Sequence, residues 1–278
     1  MAITNFIPEI WNAQMLTDFR AQALAAAVTN RQYEGNATVG NTVKITSAVH
    51  VDIDDYAANN RTTSASEVDD TGQDLLIDQE KAFDFYVDDI DRRQAAGSMD
   101  AYTQSAGEGL SLDADAYILT TAEAGAAVAN QLDGGGSAPE TGDDAFDVLR
   151  DLRRTLNKAH IPLSQRVAFV NAEFSHLLLG ADSKLTEVDT SGDSAGLREG
   201  TLGRLLGFRI IESENLPETD DPQVIAFYQP AVAFVSQIMD TEALRAVDKF
   251  ADRLRGLHVY GSRVIRPTAV ATWNVGTA

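Results

Sequence analysis

Two stretches of alternating apolar residues, separated by a long polar segment, constrain the fold of this chain more than any other feature. Both stretches place an apolar side chain at every second position, the spacing of a strand with one buried face: Val43, Ile45, Val49, Val51 and Ile53, then Leu75, Ile77, Phe83, Phe85 and Val87. The polar segment 54–72 contains about twenty residues, which is long for a loop inside a compact domain. We therefore expect an extended β-hairpin whose tip reaches toward something else.

A long helical repeat follows the hairpin. Its apolar residues keep close to helical spacing over about thirty residues, which corresponds to a rod of about 45 Å: Met99, Tyr102, Ala106, Leu110, Ala114, Tyr117, Ala124 and Val128. Gly107 and Gly109 are the expected bend points. The glycine-rich run 132–139 then marks a domain boundary.

The remainder of the chain has the pattern of a mixed α/β region. The sequence predicts an amphipathic helix over 145–158, a short helix over 172–179 and a polar loop over 181–200. Strands are predicted at 166–170, 208–211, 224–228, 232–238, 257–265 and 269–273. The whole chain is therefore expected to belong to the α+β class.

Charge is distributed unevenly along this acidic chain, whose net charge is −20. Segment 50–91 holds thirteen acidic residues against Arg61 and Lys81, a net of −11. Segment 245–266 holds six Lys or Arg against Asp248 and Asp252, a net of +4. A chain this acidic lacks the cations for general nucleic-acid binding, whereas its two oppositely charged segments are suited to attract each other.

Motifs for catalysis or metal binding are weak. Segment 192–196 satisfies the G-x-S-x-G pattern around Ser194, but it lacks a good preceding strand, and His258 is the only later histidine. An acidic serine hydrolase using Ser194 is kept only as an alternative. The aspartates between 52 and 70 do not form a calcium-loop motif, and the four histidines are scattered. The chain has no cysteine and no apolar stretch of about 18 residues, so we expect no cofactor, no metal and no membrane association.

The order of these parts resembles tailed-phage major capsid proteins of the Hong Kong 97-type fold. Local sequences similar to that family lie at 33–35 (YEG), 40–45 (GNTVKI), 83–89 (FDFYVDD), 203–210 (GRLLGFRI) and 259–264 (VYGSRV). Each sequence alone is only moderately specific, and their order along nearly the whole chain carries the resemblance.

The resemblance implies an N-terminal arm, an extended loop, a peripheral domain with a long spine helix, and an axial domain. Their ranges are 1–30 for the arm, 31–92 for the extended loop, 93–133 and 240–278 for the peripheral domain, and 134–239 for the axial domain. It also implies hexamers and pentamers of an icosahedral shell around packaged double-stranded DNA, assembled in the host cytoplasm without sequence-specific DNA binding. Scaffolding, portal and decoration proteins are possible partners. An encapsulin-type nanocompartment, which shares the fold, is the other alternative.

The charge pattern and the resemblance together give a hypothesis for the subunit interface. The acidic hairpin of one subunit is expected to dock on the basic segment of its neighbour, through Asp54, Asp55, Arg61, Asp69, Asp70, Arg245, Lys249, Arg253 and Arg255. Because no scaffold-like segment precedes the arm, we expect a coat protein that is not shortened. Because no lysine lies in 52–73 and acids surround Lys81, we expect no covalent links between subunits.

Overall fold

The computed structural model describes residues 23–34, 41–46, 61, 72–89, 100–133, 137–180, 203–218, 220–246 and 249–275. Helices among these residues are α1 (Leu24–Val28), α2 (Asp100–Ala124), α3 (Gly142–Lys158) and α4 (Ala172–Leu178). The strands are β1 (Thr42–Thr46), β2 (Gly72–Leu76), β3 (Gln79–Asp88), β4 (Gln131–Asp133), β5 (Arg166–Val170), β6 (Arg204–Leu205), β7 (Phe208–Glu212), β8 (Val224–Tyr228), β9 (Val232–Arg245), β10 (Ala251–Val264) and β11 (Val270–Asn274).

The base of the predicted hairpin is present as the antiparallel pair β1–β2. Thr42 lies opposite Leu76, and Thr46 lies opposite Gly72. As the alternation predicts, one face is buried, and its side chains form a cluster with strand β9: Val43, Ile45, Leu75, Ile77, Ala233 and Val235. The pair is also tied to the end of β10, because Arg263 donates a hydrogen bond of 2.8 Å to the carbonyl oxygen of Asp74.

The prediction that the returning hairpin strand continues to Val87 was wrong, because the chain divides there into two strands, β2 and β3. Strand β3 leaves β2 after two residues and joins a separate sheet of order β3-β10-β9, in which Gln79 lies opposite Tyr260 and Val87 opposite Asp252. The apolar positions on both sides of the break are odd-numbered, so the period-two pattern passes through the break without a change of phase. The alternation therefore concealed the point where the chain changes partner.

The third and largest sheet among the described residues has six strands in the order β4-β11-β8-β5-β7-β6, with β4–β11 and β5–β7 parallel and the other pairs antiparallel. Helix α3 begins at a capping box, in which the Thr141 hydroxyl accepts from the Asp144 backbone N–H at 3.2 Å. Its apolar face, with Leu149 and Leu152, packs over this sheet beside Phe174 of α4. The predicted helix and most predicted strands of this region are confirmed.

The described part of segment 240–278, which was expected to return to the peripheral domain, is divided between the three-stranded and six-stranded sheets. Strand β10 lies in the three-stranded sheet, whereas β11 pairs with β8 in the six-stranded sheet. Strand β9 crosses the expected boundary between residues 239 and 240 without interruption. The division into peripheral and axial domains stays a prediction, and the sheets alone do not follow its boundaries.

Helix α2 spans 25 residues, or about 37 Å, and is helical through the expected bend points. Leu110 and Ala114 are buried as predicted, but Ala124 and Val128 are exposed, so the prediction for that end was wrong. The helix stops at Ala124, and at Gly125 a Cβ would lie 2.5 Å from Cγ2 of Val264. The close approach of β10 at this glycine coincides with the end of the helical repeat.

A buried carboxylate ties α1 to the middle of α2. Asp115 is 1% exposed, and its oxygens accept from the backbone N–H groups of Leu24 at 2.7 Å and of Ala26 at 3.1 Å. These donors belong to the first turn of α1, where N–H groups have no partner inside the helix. Burial raises the pKa of Asp115, and the N–H donors oppose that rise.

Candidate assembly surface

The three-stranded sheet places the predicted interface arginines on one exposed face. Arg253 lies opposite Tyr86 on β3 and Leu244 on β9. Two residues further along β10, Arg255 lies opposite Asp84 on β3 and Glu242 on β9. Side chains at directly opposed positions share a face of a sheet. A groove on this face has a volume of about 490 Å³ and is lined by residues of all three strands: Ala82, Phe83, Asp84, Asp240, Glu242, Arg253, Arg255, Gly256 and Leu257.

Arg253 and Asp84 form a bidentate pair across β10 and β3. The Arg253 Nε lies 2.8 Å from Oδ1 and 3.0 Å from Oδ2 of Asp84, and Nη2 also donates to Oδ2. The hydrogen bonds from Arg253 and its positive charge lower the pKa of Asp84. In turn, the hydrogen bonds to Asp84 and its negative charge raise the pKa of Arg253. Planar guanidinium and carboxylate groups fit this geometry, which fixes orientation as well as charge.

Arg255 and Arg245 are also paired with acidic side chains. Arg255 donates to Glu242 on β9, with Nε 2.8 Å from Oε2. Arg245 Nη1 donates to Asp89 at 2.8 Å and to Asp252 at 3.0 Å, and these two bonds raise its pKa. Because these side chains are partly exposed, solvent screening leaves each pair with only a small effect on stability.

These pairs change the interpretation of the charge pattern. Asp84 and Asp89 belong to the acidic segment, whereas Arg253 and Arg245 belong to the basic segment. The two segments, which were expected to meet across a subunit boundary, therefore already meet inside one chain. That the same arginines also contact a neighbour stays a prediction.

Not all predicted interface residues can be located. Lys249 lies between β9 and β10, with its Nζ 5.4 Å from the centroid of the Tyr86 ring. Arg61 is exposed and has a φ of 58°. The acidic members of the set lie outside the described residues: Asp54, Asp55, Asp69 and Asp70. Ser194, the candidate hydrolase nucleophile, also lies outside them.

Sequence reasoning missed the apolar part of this surface. Tyr86 on β3 is 52% exposed, and Phe250 at the β9–β10 connection is 82% exposed. Leu244 and Leu257 lie at 43% and 40%. The sequence does give one indication that Phe250 is exposed. This aromatic residue directly follows the charged Lys249, in the connection between β9 and β10. Its significance depends on pairings that local periodicity does not show.

A second polar cluster joins the other side of this sheet to α2. Lys81 Nζ lies 3.2 Å from Oδ1 of Asp113, and the Tyr260 hydroxyl donates to Oδ2 of the same carboxylate. Buried His258 lies beside this cluster, with Nε2 3.0 Å from the Ser236 hydroxyl, and burial lowers the pKa of His258 to about 4. Asp113 therefore connects β3, β10 and the long helix.

Other classes of site receive no support from the described part of the chain. Within it, no group of three or more His, Cys, Asp or Glu side chains is arranged to hold a metal ion. None of its helices has both the length and the apolar character required to cross a membrane.

Comparisons with known proteins agree with this architecture. A family model described as phage capsid protein matches residues 76–273. A solved structure from Mycobacterium phage Che8 is 50% identical, with a TM-score of 0.82, and the match covers 92% of this chain and 93% of that chain. No curated protein matches the sequence.

More distant structures share the fold alone. The capsid structure of cyanophage P-SCSP1u is 16% identical, with a TM-score of 0.72 over 87% of this chain and 85% of that chain. A virus-like particle from Pyrococcus furiosus is 14% identical, with a TM-score of 0.66 over 97% of this chain and all (100%) of that chain. The encapsulin-type and hydrolase alternatives are not favoured. The family match over 76–273 and the half-identical phage structure show that the chain belongs to the phage capsid protein family, with the Hong Kong 97-type fold and the role of a structural major capsid protein.

Proposed function

We propose that this capsid protein assembles with itself into hexamers and pentamers, which close into an icosahedral shell around packaged double-stranded DNA in the virion. The observation that carries the proposal is the outward face of the β3-β10-β9 sheet. On this face, exposed apolar side chains stand beside arginines that are already held by acids.

The composition of this face is that of a protein–protein interface. Tyr86 and Leu244 on this face, and Phe250 in the adjoining β9–β10 connection, are large and exposed, and leaving such surface in water is unfavourable. Arg253 lies with its Cζ 5.7 Å from the centre of the Tyr86 ring, so a cation and an aromatic ring form one unit. Aromatic residues and arginine are enriched among the residues that dominate binding energy at interfaces.

A neighbour's acidic hairpin also fits this face. A guanidinium has five N–H donors, and the contacts of Arg253 with Asp84 use those on Nε and Nη2. A second carboxylate, such as Asp54, Asp55, Asp69 or Asp70 of another subunit, can therefore bind without displacing the first. In this arrangement Arg245, Lys249, Arg253 and Arg255 hold the extended loop of the neighbour, Arg61 lies in that loop, and the remaining segments take the arm, peripheral and axial roles given above.

Assembly of a Phe250→Ser variant tests this function. We expect shells to become rare while the folded subunit keeps its circular dichroism spectrum, because Phe250 is already exposed in the subunit. Val128→Ser is the matched control, since Val128 is 85% exposed but lies outside this face, and it should assemble normally. Negative-stain microscopy and sedimentation velocity measure both variants. Normal shells from Phe250→Ser would remove this face from the interface, and absence of shells from the unmodified protein would refute the function itself.

The remaining roles follow from charge and family. With a net charge of −20, the inner surface is proposed to repel DNA and let it slide during packaging. Duplex DNA binding by isolated capsomers at physiological salt should be undetectable, and micromolar affinity would contradict this. We further propose assembly in the host cytoplasm, with scaffolding, portal and decoration proteins as partners, and no catalytic activity.

A further inference from the structure

A row of cations on α3 forms a basic groove on this acidic protein. The groove is lined by Arg150, Arg153, Arg154, Asn157 and Lys158. Arg150 and Arg154 each have an aspartate three residues earlier, at 2.9 and 3.4 Å, and the side chains of both pairs are about half exposed. Cations near the end of a helix complement its dipole, which accounts for Lys158 but not for a row that begins two turns earlier.

A buried arginine lies beneath this groove. Arg166 is 2% exposed, and its Nη2 donates to Oδ1 of Asn157 at 2.8 Å. Its Nε donates to the carbonyl oxygen of Pro162 at 2.8 Å, and among the described residues its Nη1 has no hydrogen-bond partner. Burial, together with the charge of Arg153, lowers the pKa of Arg166. The protein thus adds a buried positive charge under a row of exposed ones, without a carboxylate of the described residues bonded to it.

The opposite charge is gathered at the connection between β7 and β8. Segment 212–221 contains five acidic residues and no Lys or Arg. The connection is held at Glu218 and Asp221, because the side-chain amide of Asn171 donates to their carbonyl oxygens at 3.3 and 2.6 Å. A cavity of about 290 Å³ opens here, and Glu123 lines it with Glu218 and Asp221.

Strand β5 separates the two charged regions. It begins at Arg166, under the basic groove, and ends at Val170, directly before the Asn171 that holds the acidic connection. Five extended residues span about 17 Å. One molecule therefore presents a basic region and an acidic region near opposite ends of the same strand. Two different, mutually complementary surfaces are what a head-to-tail contact requires, and repetition of such a contact around an axis closes a ring.

We propose that the basic groove of α3 binds the acidic β7–β8 connection of a second copy of this chain, and that this contact orders subunits head to tail within a capsomer. The proposal rests on the proposed function, because it assigns a contact within the same assembly. Nucleic acid is a poorer occupant of the groove, because Asp147 and Asp151 lie between the cations and the chain as a whole repels phosphate.

A charge swap tests the contact. Arg150→Glu with Arg154→Glu makes both ends acidic. Asp220→Lys with Asp221→Lys reverses the charge at the tip of the acidic connection and changes the net charge of segment 212–221 from −5 to −1. Each variant should weaken capsomer formation by at least about tenfold, because like charges then face each other. The chain carrying all four changes restores complementarity with reversed sign and should recover capsomers. Sedimentation velocity and native mass spectrometry measure the species formed.

Recovery in the fourfold variant separates a direct contact from general damage. If either double variant forms capsomers normally, or if the fourfold variant remains monomeric while folded, the contact is wrong. Arg150→Gln with Arg154→Gln is a second test in case the charge-reversed variants do not fold. Its capsomers should be weaker than those of the unmodified protein and less sensitive to salt. Unchanged salt sensitivity would overturn the proposal. Duplex DNA binding that is lost in the Arg150→Glu, Arg154→Glu variant would identify nucleic acid as the occupant instead. If the unmodified protein forms no capsomers, the proposed function fails first.

Discussion

Among the described glycines, Gly261 is the one where an added methyl group would come closest to the backbone of another strand. A Cβ at this residue would lie 2.1 Å from the carbonyl oxygen of Leu76 and 3.0 Å from Cα of Ile77, both backbone atoms that have no rotamer to change. Ordinary contacts begin near about 3.4 Å, so the β1–β2 pair must move away from β10 by about 1 Å. Overpacking of this kind costs about 1–3 kcal/mol.

We therefore expect Gly261→Ala to lower the melting temperature by about 2–12 °C, given about 2–4 °C for each kcal/mol in a chain of this size. Gly109→Ala is the matched control, because Gly109 lies in α2 with nothing within 4 Å of the new Cβ. Because alanine has a higher helix propensity than glycine, this control should raise the free energy of unfolding by about 0.5–1 kcal/mol. Thermal unfolding of unassembled subunits, followed by circular dichroism, measures both. A Gly261→Ala protein as stable as the unmodified protein would refute the steric argument.

Three further outcomes follow from the polar groups described above. The folded protein holds His258 neutral down to about pH 4, whereas the unfolded chain protonates it near pH 6.5, so the free energy of unfolding should fall as pH drops through this window. In urea titrations His258→Phe should flatten that decline, and an unchanged slope would exclude His258 as its cause. Asp115→Asn should destabilise the subunit by about 1–3 kcal/mol, because an amide N–H₂ then faces one of the two buried backbone N–H groups; equal urea midpoints would refute this. Particles boiled in detergent should release one band near 29.9 kDa, because Lys81 is paired with Asp113, and a surviving ladder of larger bands would show covalent links.

The local spacing of apolar residues was enough to predict the elements that bury one apolar face against an adjacent layer. The buried face of α3 and strand β5 follow directly from apolar spacing, and so does the base of the hairpin. The break between β2 and β3 could not be predicted, because the apolar phase is the same on both sides. Its cause is the pairing of β3 with β10, whose residues lie far along the chain.

The candidate surface shows the same limit. Composition located the cations of 245–266, but only the sheet register shows that Arg253 meets Asp84 and that Arg245 meets Asp89. Likewise, the exposure of Tyr86 and Phe250 depends on which face of β3 is covered and where the β9–β10 connection ends. Residue types were therefore accessible from the sequence, whereas their partners and exposure were set by contacts distant along the chain.

The two residues between β2 and β3 connect the hairpin to the long helix α2. Ile77 is fixed on one side, because its N–H donates to the carbonyl oxygen of Asn41 at 2.8 Å. Asp78 is fixed on the other, because it accepts from the hydroxyl of Tyr117 on α2 at 3.1 Å. Because Gly261 lies directly against the backbone of Leu76 and Ile77, any displacement of β1–β2 would be resisted by β10 and would reach the long helix through Asp78 and Tyr117.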